Sequence, residues 1–204
     1  NIYWFWDLRN GNTSNIQNPT HQFMGAGSFL ISLLVTNFDN TCKTKIYQMV
    51  DIYNNPIADF MSDEVCFGEI TSFSDISTSG SGNLMQWMWN FGDGSGISPH
   101  KNPKYQYAND GSFSVSLSVI SDYGCEHEIT KNVIVNELPI ADFLITEACL
   151  NDFNLFQSTS TIGMGNITNW YWTFGDGTTF VGDRETDHTY QTEGSFDVSL
   201  VVTS

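Results

Sequence analysis

Polar and hydrophobic residues alternate strictly along several short segments of the chain. Successive side chains of a β-strand point to opposite faces, so this period of two predicts strands with one buried and one exposed face. The alternation is clearest in three related segments: GSFLISLLVT (27–36), GSFSVSLSVI (111–120) and GSFDVSLVVT (194–203). The hydrophobic positions of the middle segment are Phe113, Val115, Leu117 and Val119.

The rest of the chain supports an all-β fold. No segment shows a convincing helical period, and short hydrophobic runs are separated by clusters of Gly, Asn, Asp, Ser and Pro. Short strands with turn signals at intervals of about 8–12 residues are typical of a β-sandwich. The pattern therefore predicts antiparallel β-sandwiches.

The tryptophan, cysteine and PIADF motifs return at an interval of 83 residues, and the three GSF segments begin 84 and 83 residues apart, which predicts a tandem array. PIADF occurs at 56–60 and again at 139–143, in the segment predicted as the first strand of each unit (56–62 in the second copy). We predict three units: the C-terminal part of a repeat (1–53), a complete repeat (54–136), and a repeat without its last strand (137–204). The tryptophans recur as Trp4 and Trp6, Trp87 and Trp89, and Trp170 and Trp172; the cysteines recur as Cys42 and Cys125, and as Cys66 and Cys149.

The charge balance narrows the class of partner. The formal net charge is −16, with 7 Lys and Arg against 23 Asp and Glu. Such an acidic surface repels nucleic acid, so we expect no nucleic-acid partner. No apolar run approaches the roughly 18 residues that a membrane helix requires, so we expect no membrane span.

The motif order resembles one known family. WMWNFGDG (87–94) is followed by NPKYQY (102–107), by the alternating GSF strand and by Gly124-Cys125. This order resembles the PKD (polycystic kidney disease) repeat, which implies seven-stranded immunoglobulin-like sandwiches joined head to tail. The cysteine-bearing variant with PIADF linkers resembles arrays on large secreted and surface proteins of Bacteroidota, including adhesion and gliding proteins. LRNG (8–11) and ETDH (185–188) depart from the motif.

The Gly-Asp-Gly turns have two interpretations. Glycine supplies positive φ and an Asp carboxylate accepts backbone N–H groups, which predicts an ordinary turn. Alternatively, Asp93 and Asp176 could contribute to a Ca²⁺ site, although calcium requires about six to eight oxygen ligands. We expect no other cofactor. The turn residues are Gly92, Asp93 and Gly94, and Gly175, Asp176 and Gly177.

No catalytic set of residues recurs at matching positions, which predicts that the chain is not an enzyme. His21 and His188 occupy equivalent positions, where the second copy has Tyr105, and this favours packing or a hydrogen bond over catalysis. Tyr107, four residues before Gly111, resembles the tyrosine corner of immunoglobulin-like folds. The remaining histidines are His100 and His127.

The cysteines allow three states: inter-repeat disulfides, disulfides within a repeat, or free thiols. Cys66 lies in the predicted turn between the first two strands and Cys125 in the turn between the last two. These turns lie at opposite ends of a sandwich, about 26 Å apart for an eight-residue strand, whereas bridged Cα atoms lie within about 7 Å. We therefore favour staples between successive repeats. The partners of Cys66 and Cys125 would then lie outside the given sequence.

Phe5, Met88 and Tyr171 are predicted to point outward from equivalent strands. They either contact a neighbouring loop or form a binding face for a glycan or another protein chain. Our first functional hypothesis is a stiff stalk or filament segment of a secreted or cell-surface protein, serving adhesion or gliding and contacting neighbouring repeats. The second is an accessory module of a secreted enzyme that binds polysaccharide or protein. Both place the chain outside the cell.

Overall fold

The computed structural model describes residues 2–9 and 11–204. The described residues form 18 strands and no helix, so the predicted all-β class is confirmed. They contain no helix that is long and apolar enough to cross a membrane. Two compact units share the chain, and their boundary passes through the second repeat. One contains the residues up to Met61, Ser74–Pro103 and Val115–Lys131; the other contains Ser62–Phe73, Lys104–Ser114 and Asn132–Ser204.

The first repeat contributes one antiparallel sheet, with the strand order β2-β1-β3-β4. Trp6 is the register partner of Leu33, and Phe5 is the partner of Leu34. Because register partners share a face, the tryptophans lie on one face and Phe5 lies on the other. The strands are β1 (Ile2–Asp7), β2 (Thr13–Ser14), β3 (Gly27–Asn37) and β4 (Lys43–Ile52).

The second repeat has two sheets, with the strand orders β10-β7-β5 and β6-β12-β11-β8-β9. Phe60 of the first sheet packs edge-on against Trp89 of the second, with ring centroids 5.1 Å apart. Both side chains are almost completely buried. The strands are β5 (Phe60–Ser62), β6 (Val65–Cys66), β7 (Thr71–Asp75), β8 (Leu84–Asn90), β9 (Ile97–Ser98), β10 (Lys104–Tyr105), β11 (Gly111–Ser121) and β12 (Glu126–Asn136).

The third repeat also has two sheets, β13-β14-β17 and β16-β15-β18. Its core forms where Phe143 and Phe156 of the first sheet pack against Trp172 of the second, at centroid distances of 5.3 and 5.9 Å. The strands are β13 (Phe143–Ile145), β14 (Asn154–Ser158), β15 (Asn169–Thr173), β16 (Thr179–Gly182), β17 (Glu185–His188) and β18 (Ser199–Thr203).

Two strand predictions were too long. The strand predicted at 56–62 begins at Phe60. Before it, Ile57 and Thr78 form an isolated antiparallel bridge. Side chains accept the next two backbone amides: Ala58 N donates to His127 Nδ1, and Asp59 N donates to Ser77 Oγ. The strand predicted at 194–203 begins at Ser199. Residues 27–31 of the first repeat pair with β4, whereas no described strand pairs with residues 194–198 in this way.

Candidate functional site

The tryptophans of strands β1, β8 and β15 fall into two groups. Trp89 and Trp172 are fully buried, and each indole N–H donates to a backbone carbonyl 11 residues later: Trp89 to His100 at 2.9 Å and Trp172 to Asp183 at 3.4 Å. Their equivalent in the first repeat, Trp6, is only half-buried. The other members, Trp4, Trp87 and Trp170, are also half-buried. The fully buried pair anchors the cores of the second and third repeats.

The Gly-Asp-Gly turns end these strands with left-handed glycines. Gly92 and Gly94 have φ of 81°, and Gly175 and Gly177 have φ of 80° and 94°. Such values favour glycine. Asp93 Oδ1 accepts Ser95 N at 3.0 Å, and Asp176 Oδ1 accepts Thr178 N at 2.9 Å. The first repeat places Arg9 in the same region, with φ of 69°; Asn10, which replaces the Asp there, lies outside the described residues.

In the third repeat the turn is fastened to strand β17. Asp176 Oδ2 lies 2.7 Å from His188 Nε2, while Oδ1 also accepts the Thr178 hydroxyl at 2.6 Å. The Thr178 hydrogen bonds and then His188 lower the pKa of Asp176 to about 2. The His188 ring stacks on Phe174 at a centroid distance of 4.2 Å. The carboxylate is therefore engaged by neighbouring side chains on both oxygens.

A tyrosine closes the same turn from another direction. Tyr190 is the equivalent of Tyr107, and its hydroxyl donates to Phe174 O at 2.9 Å, immediately before Gly175. The predicted tyrosine corner was expected to fasten the turn before the GSF strand. In the third repeat it instead fastens the Gly-Asp-Gly turn. Partial burial raises the pKa of Tyr190, which favours the protonated hydroxyl that makes this bond.

Among residues 2–9 and 11–204, no three His, Cys, Asp or Glu side chains are grouped so that they could hold a metal ion. The histidines lie apart in structural contexts: His127 accepts Ala58 N, and His21 packs edge-on against Phe23 at 4.6 Å. The geometry around Asp176 is that of a fastened turn.

The outward residues differ in their surroundings. Phe5, Met88 and Tyr171 are all exposed. Across the sheet, Phe5 is the partner of Leu34, which is in turn the partner of Lys45. In the second repeat, Met88 faces Ser118. Phe5 and its neighbours across the sheet share one face, which we call the outer face of the first repeat. This face is defined by Phe5, Leu30, Leu34, Lys45, Tyr47 and Met49.

The same face reverses its charge in the second repeat. Lys43 and Lys45 are replaced 83 residues later by Glu126 and Glu128. Lys45 Nζ lies 5.1 Å from the Tyr47 ring centroid, a cation–π distance. Residues 1–53 contain three Asp and three basic residues, so the net charge of −16 comes from the remainder of the chain. The first repeat therefore presents the least acidic surface.

The junction between the first and second repeats is held by contacts that periodicity did not indicate. Tyr53 stacks on Tyr123, with ring centroids 3.7 Å apart and planes inclined by 7°. Asn54 N donates to Ser81 Oγ at 3.0 Å, and Ser81 N donates to Asn54 O at 3.3 Å. A Cβ at Gly80 would lie 2.2 Å from Asn55 O. The glycine-rich TSGSGN loop (78–83) was the sequence signal for this close approach.

All four cysteines lie among the described residues, and none of them is joined to another in a disulfide. Cys66 is the register partner of Asn136, the last residue of β12, whereas Cys125 immediately precedes β12. Ten residues of extended strand span about 33 Å. Cys66 and Cys125 therefore lie too far apart for a disulfide within one repeat.

A family model described as "PKD domain" matches residues 53–135 and 136–204. A microbial collagenase of Vibrio alginolyticus is 39% identical over 69 residues, which are 34% of this chain and 8% of the collagenase. Collagenase ColA of Bacillus cereus is 31% identical over 114 residues, 56% of this chain and 11% of that protein. The chain thus spans about a tenth of the length of these relatives.

A solved structure of a single PKD domain also matches part of this chain. The PKD1 domain of Vibrio anguillarum Epp is 26% identical, with a TM-score of 0.40, and the match covers 43% of this chain and all of that domain.

Proposed function

The chain belongs to the PKD domain family, and we propose that it is a structural repeat segment of a large secreted or cell-surface protein. In this role the repeats form a stiff stalk that holds an adhesive or catalytic domain away from its base. Two curated relatives are, by their names, collagenases, and this chain resembles only a small part of each. Within the chain itself, the cores and turns are engaged in structural contacts.

The observation that carries this proposal is the Tyr53–Tyr123 stack at the repeat junction. The stack packs Tyr53, the last residue of the first repeat, on the 121–125 turn of the second repeat, and the two hydrogen bonds hold the next residue, Asn54, on the 78–83 loop. Two loops engaged at once restrain both bending and twisting of the linker. A flexible linker, in contrast, would be rich in exposed Gly and Ser without such contacts.

Small-angle X-ray scattering tests the stiffness of the junction. We expect the parent chain to give one narrow distribution of maximum dimensions. Tyr123→Ser should broaden that distribution, because it removes the stack. Tyr171→Ser is the matched control, since Tyr171 is an exposed tyrosine of the third repeat. If the parent chain itself gave a distribution as broad as that of Tyr123→Ser, this result would contradict a stiff stalk.

A second candidate function is binding of polysaccharide at the outer face of the first repeat. Exposed aromatic rings offer a flat apolar surface to the C–H faces of sugars, and Lys45 next to Tyr47 adds a hydrogen-bond donor. The second repeat has Thr130 and Glu128 at these two positions. The difference between otherwise similar repeats favours a role specific to the first.

Affinity electrophoresis in gels containing soluble polysaccharides tests this second function. Retardation of the parent chain that is lost in Phe5→Ala/Tyr47→Ala would support binding at this face. Met88→Ala, at the position equivalent to Phe5 in the second repeat, should leave retardation unchanged. Equal retardation of all three proteins would place any binding elsewhere.

A further inference from the structure

Each repeat has two cysteine positions, and each of them lies beside a junction with a different neighbouring repeat. Cys66 pairs through its backbone with Asn136 at the end of β12, and Phe67 N donates to Asn136 O at 2.7 Å. The cysteine between the first two strands is thus held at the residue where its repeat ends. Glu69 fixes the turn further, because its carboxylate accepts Cys66 N at 3.2 Å.

The other cysteine position lies on the far side of the preceding junction. Cys125 closes the turn 121–125, in which Ser121 N donates to Cys125 O at 2.9 Å. Tyr123, at the tip of this turn, stacks on Tyr53. The last turn of the second repeat is therefore packed against the end of the first repeat.

The repeat interval connects these two observations. Tyr53 and Asn136 are equivalent residues, 83 positions apart, at the ends of successive repeats. The cysteine between the first two strands lies beside this residue in its own repeat. In the following repeat, the cysteine between the last two strands is Cys125. It lies two positions from Tyr123, the tyrosine that packs on Tyr53.

We propose that successive repeats are cross-linked by a disulfide between these two cysteine positions. Cys66 would bond to the equivalent of Cys125 in the third repeat, at position 208, and Cys125 to the equivalent of Cys66 in the first repeat. Both partners lie outside the 204 residues of the given sequence. The proposal deepens the stalk function, but it concerns which sulfurs join and is tested separately from stiffness.

The bond requires an oxidant of the disulfide class, such as oxidised glutathione. One cysteine thiolate attacks the glutathione disulfide and releases one glutathione thiolate. The second cysteine thiolate then attacks the mixed disulfide and releases the other. Two S–H bonds are lost, one S–S bond forms between the repeats, the two protons go to solvent, and the two electrons reduce glutathione disulfide.

The test is a full chain in which residues 54–136 are duplicated in frame, so that both partners of one junction are present. After treatment with oxidised glutathione, we expect non-reducing peptide mapping to find Cys66 of the first duplicate bonded to Cys125 of the second. Cys66→Ser in the first duplicate should abolish this peptide, and Cys66→Ser in the second should leave it. The unduplicated chain should retain four free thiols as a monomer.

Three results would overturn the proposal: a Cys66–Cys125 bond within one duplicate, free thiols throughout a folded duplicated chain, or disulfide-linked dimers alone. If the duplicated chain does not fold, Tyr53→Cys/Tyr123→Cys in the unduplicated chain tests the contact on which the proposal depends. Formation of that cross-link supports the packing of the last turn on the preceding repeat. Its failure to form under the same oxidant would also overturn the proposal.

Discussion

Asp176 Oδ2 and His188 Nε2 lie 2.7 Å apart and join the Gly-Asp-Gly turn of the third repeat to strand β17. The second repeat has Tyr105 at the position of His188. A carboxylate loses its charge in the acid range, whereas a phenol is uncharged there. The third repeat therefore carries a turn contact whose strength depends on pH in a way that the family motif does not indicate.

The lowered pKa of Asp176 predicts acid sensitivity of the third repeat. Its folded pKa of about 2 lies below the ordinary value of 3.8, so the ionised form is favoured by folding. This contribution is complete above pH 3.8 and is lost as the pH falls through about 2. We expect the melting temperature to fall over this window in the parent chain and to depend less on pH in Asp176→Asn.

The control for this effect is Glu193→Gln, which removes an exposed carboxylate of the same repeat. Its melting temperature should follow that of the parent chain across the window. Thermal scans by circular dichroism between pH 2 and pH 7 provide the measurement. Parallel curves for the parent chain and Asp176→Asn would show that Asp176 does not couple folding to protonation.

Tyr190→Phe is expected to weaken the third repeat without disturbing its core. The variant removes the hydroxyl that donates to Phe174 O at 2.9 Å, but keeps the ring that stacks on Phe196 at 4.0 Å. Loss of one such hydrogen bond costs about 0.5–1.5 kcal/mol. Urea unfolding followed by tryptophan fluorescence measures the change. Tyr171→Phe, at an exposed position of strand β15, should unfold at the same urea concentration as the parent chain.

The two glycines of the third-repeat turn are expected to differ in their tolerance of alanine. A Cβ at Gly175 would lie 2.6 Å from Asp197 O, whereas a Cβ at Gly177 meets no atom within 4 Å. Both substitutions incur the left-handed backbone cost of roughly 1–2 kcal/mol. Gly175→Ala adds a backbone clash, so its free energy of unfolding should be clearly lower than that of Gly177→Ala. Equal values from denaturant unfolding would contradict the close approach of residue 197.

Periodicity predicted the repeats and their strands because one buried face imposes a period of two on the sequence. Buried Trp89 and Trp172 and the left-handed glycines at 92 and 175 lie in segments that the sequence alone marks as core strand and turn. These features are local: each depends on residues within one strand or its closing turn. The all-β class follows from the same local signals.

Contacts between distant segments were not predictable in the same way. The parallel pairing of β6 with the end of β12 joins residues about 70 positions apart, and alternation carries no information on it. The Tyr53–Tyr123 stack is equally remote in sequence, and its position recurs as Asn136 in the next repeat. Exposed side chains such as Lys45 and Tyr47 follow no burial constraint, so only the comparison between repeats shows that they differ.

The paired tryptophans of the third repeat are expected to respond differently to phenylalanine. Trp172 is fully buried and donates to Asp183 O, so Trp172→Phe leaves a cavity and an unpaired carbonyl. We expect a loss of about 1–3 kcal/mol in the free energy of unfolding. The indole N–H of Trp170 is buried and has no hydrogen-bond partner among the described residues. Removing an unpaired polar group is nearly neutral or stabilising, so Trp170→Phe should unfold at the same or a higher urea concentration. Larger destabilisation by Trp170→Phe than by Trp172→Phe would contradict this ranking and assign the anchoring role to the first tryptophan of each pair.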